Sequence, residues 1–262
     1  MQGIQYLYTK EGQIFGELKY TSRVFSDYTK HFHRDLGIAL IENGSLTITF
    51  KEQPVTLDNH SIAIFNPEEI HRSNAIDAEG YYVLFLNYDW CQEIKKDFLF
   101  SQNIINNQAL YNRLKELFYQ ILKGNIEANQ TKLYAYIKEL FSRYATLNRK
   151  REKDLTVQIK EYVSSHNEEA LSVADVAKYI GYDNAYLIRF FKREVGMTLQ
   201  QYILNEKVNC AKDFLRYSHF RNLSDVAVHS GFFDQSHLNR NFKGLFGTTP
   251  KKYKIVNIVQ DK

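Results

Sequence analysis

The feature that most constrains this chain is a repeat near its C-terminus. Two segments about fifty residues apart carry one pattern. The first holds Ala177, Gly181, Leu187, Arg189, Phe191-Lys192, Gly196, Thr198 and Tyr202. The second holds Ala227, Gly231, Leu238, Arg240, Phe242-Lys243, Gly247, Thr249 and Tyr253. Spacings agree except for one extra residue after Gly231. Each segment reads as helix, tight turn, helix. Asp154–His166 reads as a helix before them. Ser172-Val-Ala-Asp175 is a capping box that opens the next, and Gly181 ends it where positive φ is expected. Asp183 or Asn184 caps a third helix, to about Val195. Thr198-Leu-Gln-Gln201 opens a long helix to about Tyr217, with an apolar stripe of Leu204, Val208, Ala211 and Leu215. Asn222 or Ser224 starts a fifth, Asp234 caps a sixth, and Pro250 sits in the first turn of a seventh.

A small basic two-helix unit made twice implies a ligand that repeats, and duplex DNA is the obvious one. In a helix-turn-helix the second helix enters the major groove and the first crosses close behind it. Ala177 and Ala227 are small enough for that crossing. Leu187, Phe190 and Phe191 would fill the core under one recognition helix, and Leu238, Phe242 and Phe246 under the other. The opposite faces carry Asn184, Arg189 and Lys192, and Gln235, Ser236, Asn239, Arg240 and Lys243. Arg suits guanine, and Asn or Gln suits adenine. Lys192, Lys243, Lys251 and Lys252 suit phosphates. The long helix spans about 30 Å at a ~1.5 Å rise per residue, close to the ~34 Å between successive major-groove faces. Charge agrees. The net +4 hides 16 Lys+Arg against 17 Asp+Glu in residues 1–149, and 18 against 13 in residues 150–262.

The front half reads differently. Ser45–Phe50 alternates apolar and polar, while Leu36–Ile41, His60–Phe65 and Tyr81–Leu86 are short apolar runs between turn signals. Residues 13–87 therefore read as a β-sandwich or barrel. Two amphipathic helices follow, at 109–122 and 133–147. The charged run 148–153 reads as a linker between a domain of residues 1–147 and a domain of residues 154–262. The fold class expected is α+β and multidomain, with an all-α C-terminal domain holding helix-turn-helix units at 172–195 and 223–246. No apolar run approaches the ~20 residues that span a bilayer. The N-terminus lacks signal-peptide character. Two cysteines imply no disulfide framework. The expected compartment is the cytoplasm.

Residues 155–255 resemble the AraC/XylS family of bacterial transcription regulators. The most specific stretch runs Ser224-Asp-Val-Ala-Val-His-Ser-Gly-Phe232, then Gln235 to Lys243, then Gly247-Thr-Thr-Pro-Lys-Lys-Tyr253. The resemblance implies base-reading positions at Ala185, Ile188 and Arg189, and at Gln235, Ser236, Asn239 and Arg240. Ala185 and Ile188 cannot donate hydrogen bonds, so the first unit would use thymine methyls, Arg189 or DNA shape. Leu199 stands where the second unit has Pro250, and Lys207 where the family often has Arg.

Residues 31–71 are similar to the cupin-like sensor that precedes many such domains, through His31-Phe-His33, Gly44, Leu57, Pro67 and His71. Metal cupins add a carboxylate, which here falls on Leu36, Gly37 or Ile38 and is missing; Asp35 need not point inward. No metal and no cofactor are therefore expected, and His33 and His71 are assigned instead to an effector pocket. The resemblance also implies an N-terminal regulatory arm with Tyr6, Tyr8 and Phe15; the partners expected are RNA polymerase and a second copy, the two helices at 109–122 and 133–147 being the dimerisation candidates, with packing of their stripes on the barrel as the alternative. The leading function is an effector-controlled regulator of transcription, an activator by resemblance, and not an enzyme. The alternatives are a regulator controlled by a protein partner and, further off, a metal-dependent cupin enzyme fused to a DNA-binding domain.

Overall fold

The computed structural model describes residues 2–23, 28–75, 78–148, 153–168, 170–217, 220 and 222–253. The chain divides into two compact units, residues 1–27 with 32–149, and residues 28–31 with 150–262.

The strands are β1 (Gln2–Tyr8), β2 (Ile14–Arg23), β3 (Tyr28–His31), β4 (Leu36–Asn43), β5 (Ser45–Phe50), β6 (Gln53–Asp58), β7 (Ser61–Phe65), β8 (His71–Ala75) and β9 (Glu79–Leu86). Helix α1 (Tyr88–Ile94), strands β10 (Phe98–Phe100) and β11 (Ile104–Asn106), helices α2 (Gln108–Leu122) and α3 (Ile126–Tyr144), and strand β12 (Ala145–Leu147) complete the β-rich region. One sheet runs β1-β2-β9-β4-β7-β11, a second β3-β8-β5-β6, and β10 pairs with β12 alone.

The strand patterns explain the layers. In β4, Leu36, Ile38 and Leu40 join a core with Leu114, Phe118, Ile137 and Phe141 of the helices. Between them, Ala39 and Ile41 join a second core with Leu46, Ile48, Phe50 and Leu57 of the other sheet. Strands covered on both faces read as unbroken apolar runs, which is why residues 36–41, 61–65 and 81–86 do not alternate. Strand β5 has one covered face, and it alternates. Glu42 fastens neighbouring strands: Tyr20 donates to Oε2 at 3.0 Å and Tyr82 to Oε1 at 2.9 Å. Burial, then the bond to Glu42, push the Tyr20 phenol up to about 12.

Three expectations need correction. The second helix begins at Ile126 and ends at Tyr144, because Ala145–Leu147 pairs with β10. The stripes of α2 and α3 are not a free dimer surface: Leu114 and Leu117 are buried in the core shared with the large sheet. Tyr6 and Phe15 do not belong to a detached arm. They are buried in β1 and β2, and the Phe15 ring stacks on Trp90 at 4.7 Å. Tyr8, which ends β1, is exposed.

The helical region holds α4 (Asp154–Ser165), α5 (Val173–Ile180), α6 (Asn184–Val195), α7 (Leu199–Tyr217), α8 (Leu223–His229) and α9 (Gln235–Phe246), with a helical turn from Pro250 to Tyr253. Helix α7 packs on α4, α6, α8 and α9 and buries polar groups as well as its stripe, among them Asn205, Lys207 and Lys212. Lys212 Nζ lies 5.2 Å from the Phe246 ring centroid. Of the linker expected at 148–153, residues 149–152 lie outside the described residues. Lys153 occupies the N-cap of α4 and holds Glu194 Oε2 at 2.8 Å. That bond keeps the Glu194 carboxyl below its usual range.

The corrected placement of Leu114 generates a test. Leu114→Ala should destabilise the β-rich region by ~2–5 kcal/mol, the usual cost of a buried leucine deletion, without changing DNA affinity of the folded protein. The single tryptophan, Trp90, packs against that core, so urea unfolding followed by its fluorescence reads the change. An unchanged midpoint would move Leu114 out of the core.

Candidate nucleic-acid interface and barrel site

The two helix-turn-helix units are built by the same local interactions. Helix α5 opens on a capping box in which Ser172 and Asp175 bond each other's backbone N–H groups, at 2.9 and 3.3 Å. Helix α8 opens on Asn222, whose Oδ1 accepts from the N–H of Asp225 at 2.9 Å. In the turns, the N–H of Tyr182 bonds the Ala177 carbonyl at 3.1 Å and that of Phe232 the Ala227 carbonyl at 2.9 Å. Gly181 closes α5 at φ 79°. Asp183 caps α6, and Asp234 caps α9. Gly196 and Gly247 end these helices at φ 82° and 66°, a region open to glycine and costly for other residues. Phe191 meets Tyr202 edge-on at 5.1 Å and 68°; Phe242 meets Tyr253 at 5.5 Å and 67°. The extra residue of the second turn is Phe233, 91% exposed.

This scaffold fixes which side chains face outward. On α6, Leu187, Phe190 and Phe191 are buried. Ala185, Ile188, Arg189 and Lys192 are exposed, and their spacing puts them on one face. On α9, Leu238, Phe242, Leu245 and Phe246 are buried. Gln235, Ser236, Arg240 and Lys243 are exposed, with Asn239 half-buried among them. Lys251 and Lys252 are exposed beyond the C-cap. Two refinements were not legible beforehand. The Ser224 hydroxyl donates to Gln235 Oε1 at 3.2 Å, so α8 positions the first polar group of α9. Asn239 Oδ1 is buried with no hydrogen-bond partner among the described residues.

In the β-rich unit, His33 and His71 come together, with ring centroids 5.2 Å apart. Both are buried, and so is His31, which groups with the helical unit. The rings lie between the sheets: His33 is 4.7 Å from Phe85, while His71 is 4.4 Å from Phe65 and 5.9 Å from Phe50. His31 Nδ1 sits 2.6 Å from the Thr29 carbonyl and His71 Nδ1 2.8 Å from that of Glu69. A carbonyl only accepts, so Nδ1 carries a proton in both. Burial drives the His31 imidazole down to about 4, against the opposing effect of the Thr29 carbonyl. Leu36 and Ile38 are in the core shared with the helices.

Residues 20–142 match the AraC-like ligand binding domain, and residues 176–254 match a helix-turn-helix domain family. The multiple antibiotic resistance protein MarA of Salmonella typhimurium is 32% identical over 113 residues, covering 43% of this chain and 88% of MarA. The chain belongs to the AraC/XylS family. A relative along more of its length is the HTH-type transcriptional regulator YbfI of Bacillus subtilis, 25% identical over 229 residues and 82% of each chain. The fold is also that of ToxT from Vibrio cholerae, at a TM-score of 0.60 and 15% identity, covering 92% of this chain and 96% of that one. The protein is thus a DNA-binding transcription regulator with a ligand-binding domain. No helix among the described residues is long and apolar enough to cross a membrane.

The caps make the recognition helices testable on their own. Asp234→Ala removes the acceptor for the His237 N–H, bonded at 2.6 Å. It should cost ~0.5–2 kcal/mol of stability, and Asp234→Asn should restore most of that. Thermal unfolding of both variants checks it; equal losses would mean that the negative charge, not the cap bond, matters.

Proposed function

We propose that this protein is a cytoplasmic activator of transcription that reads two successive major-groove segments, responds to a small organic effector held in its barrel, and acts as a homodimer. It recruits RNA polymerase and catalyses no reaction. The observation that carries this reading is the pair of outward faces on α6 and α9 described above. The second unit would do most of the hydrogen-bonded readout, through Gln235, Ser236, Asn239 and Arg240. The first would contribute Arg189, with Ala185 and Ile188 against apolar base edges. Lys192, Lys243, Lys251 and Lys252 would neutralise phosphates.

The effector site we favour lies around His33 and His71, where polar nitrogens meet the aromatic walls of Phe50, Phe65 and Phe85. ToxT, which shares the fold, binds an unsaturated fatty acid, which supports a partly apolar ligand. Dimerisation, with the stripes of α2 and α3 used inside the chain, would use their outer faces, where Tyr119 and Tyr134 are exposed. Linking two readers raises the effective concentration of the second.

Base reading and phosphate contact separate by specificity. Arg240→Ala and Arg189→Ala should each weaken binding to a selected target by ~1–3 kcal/mol more than binding to random DNA. Lys252→Ala should weaken both equally and flatten the salt dependence. Mobility-shift titrations at several salt concentrations measure this; an equal loss on both DNAs for Arg240→Ala would remove it from the base readers. The effector half is read by DNA occupancy of the full chain with and without metabolites found by thermal shift. A coupling of ~1–3 kcal/mol changes DNA affinity ~5–150-fold. Full occupancy and transcription in a reconstituted system without metabolites would favour a protein-partner switch instead.

A further inference from the structure

We propose that Ser224 is a specificity-determining residue of the second helix-turn-helix unit. Its hydroxyl holds the amide oxygen of Gln235, so that Gln235 meets the base edge as a hydrogen-bond donor and selects guanine over adenine. This rests on the base-reading role proposed for Gln235 above. It goes from which residue reads to which base is read.

Three observations carry this. First, the Ser224 hydroxyl donates to Gln235 Oε1 at 3.2 Å. A glutamine amide has an accepting end and a donating end. With the oxygen held by α8, the –NH2 end is left for the groove. Second, both side chains stand on anchored helix starts. Asn222 caps α8 through the Asp225 N–H at 2.9 Å, and Asp234 caps α9 through the His237 N–H at 2.6 Å. The turn between them is closed by the Phe232 N–H on the Ala227 carbonyl at 2.9 Å. Third, the first unit shows that the hydroxyl is not part of the scaffold. The repeat aligns α8 with α5 at an offset of 50 residues, so Ala174 stands where Ser224 does. Both are exposed, and α5 opens on its capping box without a hydroxyl at that position.

The chemistry then specifies the base. In the major groove guanine presents two acceptors, N7 and O6. Adenine presents one acceptor, N7, and one donor, the N6 amino group. An unheld glutamine matches adenine by using both of its ends. A glutamine whose oxygen is engaged by α8 keeps its N–H donors and gives up half of that match. It suits the paired acceptors of guanine. Cytosine, which presents only a donor, is the base it suits least.

The test uses the full-length protein and a pool of randomised DNA duplexes. The position whose preference disappears in Gln235→Ala is the base that Gln235 reads. There the wild type should favour guanine over adenine. Ser224→Val should shift that ratio toward adenine by about two- to tenfold, the usual contribution of one hydrogen bond. Ser224→Thr, which has the shape of valine but keeps the hydroxyl, should hold the wild-type ratio. The preference lost in Arg240→Ala should be unchanged in both Ser224 variants. Circular dichroism checks that each variant folds; should Ser224→Val fail that check, Ser224→Ala replaces it. A wild-type preference for adenine or cytosine at this position overturns the proposal. So does equal behaviour of the valine and threonine variants. If Gln235→Ala removes a preference that no Ser224 variant alters, the role of Ser224 falls and the base-reading role of Gln235 stands. If Gln235→Ala leaves every preference intact, both fall.

Discussion

The β-rich half depends on one constraint: its large sheet is apolar on both faces. A sheet of this kind cannot stand with one face in water. At ~25 cal/mol per Å² of buried apolar surface, leaving either face bare would forfeit several kcal/mol. The small sheet covers one face, and α2 with α3 covers the other. This is why the two amphipathic helices are spent inside the chain. Their stripes have the spacing of a dimer interface and also that of a lid over a sheet, and periodicity does not distinguish the two. The deciding signal was in the strands. Runs such as Leu36–Ile41 need two covers, and the small sheet supplies only one.

The helical half rests on a different constraint, the sharp reversal between short helices. Eight-residue α5 and seven-residue α8 are too short to be stable alone. Side-chain caps satisfy their first N–H groups, and Val176, Ala177, Val226 and Ala227 are buried in the packing. Small residues let the helices cross closely, and positive-φ glycines end α6 and α9 without strain. These are local rules with characteristic residues, so this half was legible almost position by position. Asp183 rather than Asn184, and Asn222 rather than Ser224, proved to be the caps. Ser224 instead reaches Gln235, a contact between elements that no local rule contains.

Legibility failed where partners are distant in sequence. The pairing of Phe98–Phe100 with Ala145–Leu147 joins segments nearly fifty residues apart, and neither has a pattern of its own at three residues. The strand Gln2–Tyr8 lies beside β2 at a sheet edge. Nothing in its composition separates an edge strand from an arm. The histidines present the same problem in the site. His33 and His71 lie far apart in sequence, and β8 pairs with β5 in a register that sets His71 opposite Phe50. Sequence offers the residue types; the sheet decides that they meet.

The repeat itself shows how the two demands on a reader helix are divided. At a constant offset of 51 residues, buried positions match: Leu187 with Leu238, and Phe191 with Phe242. Exposed positions mostly do not. Asn184, Ala185 and Ile188 face Gln235, Ser236 and Asn239 in that register, while Arg189 and Lys192 match Arg240 and Lys243. Packing tolerates little change at a closed core, so the scaffold is the same twice. The outer face is bound by no such requirement and differs. On the proposed DNA reading, the repeated arginine and lysine do what both grooves need alike, a guanine contact and a phosphate contact. The divergent positions separate two half-sites. An apolar pair replaces a polar pair, and a good bidentate contact contributes ~1–3 kcal/mol of discrimination. The second unit would then select its bases by hydrogen bonds, and the first chiefly by methyl contacts and DNA shape. A target built for this protein would thus consist of two unlike halves rather than one motif repeated.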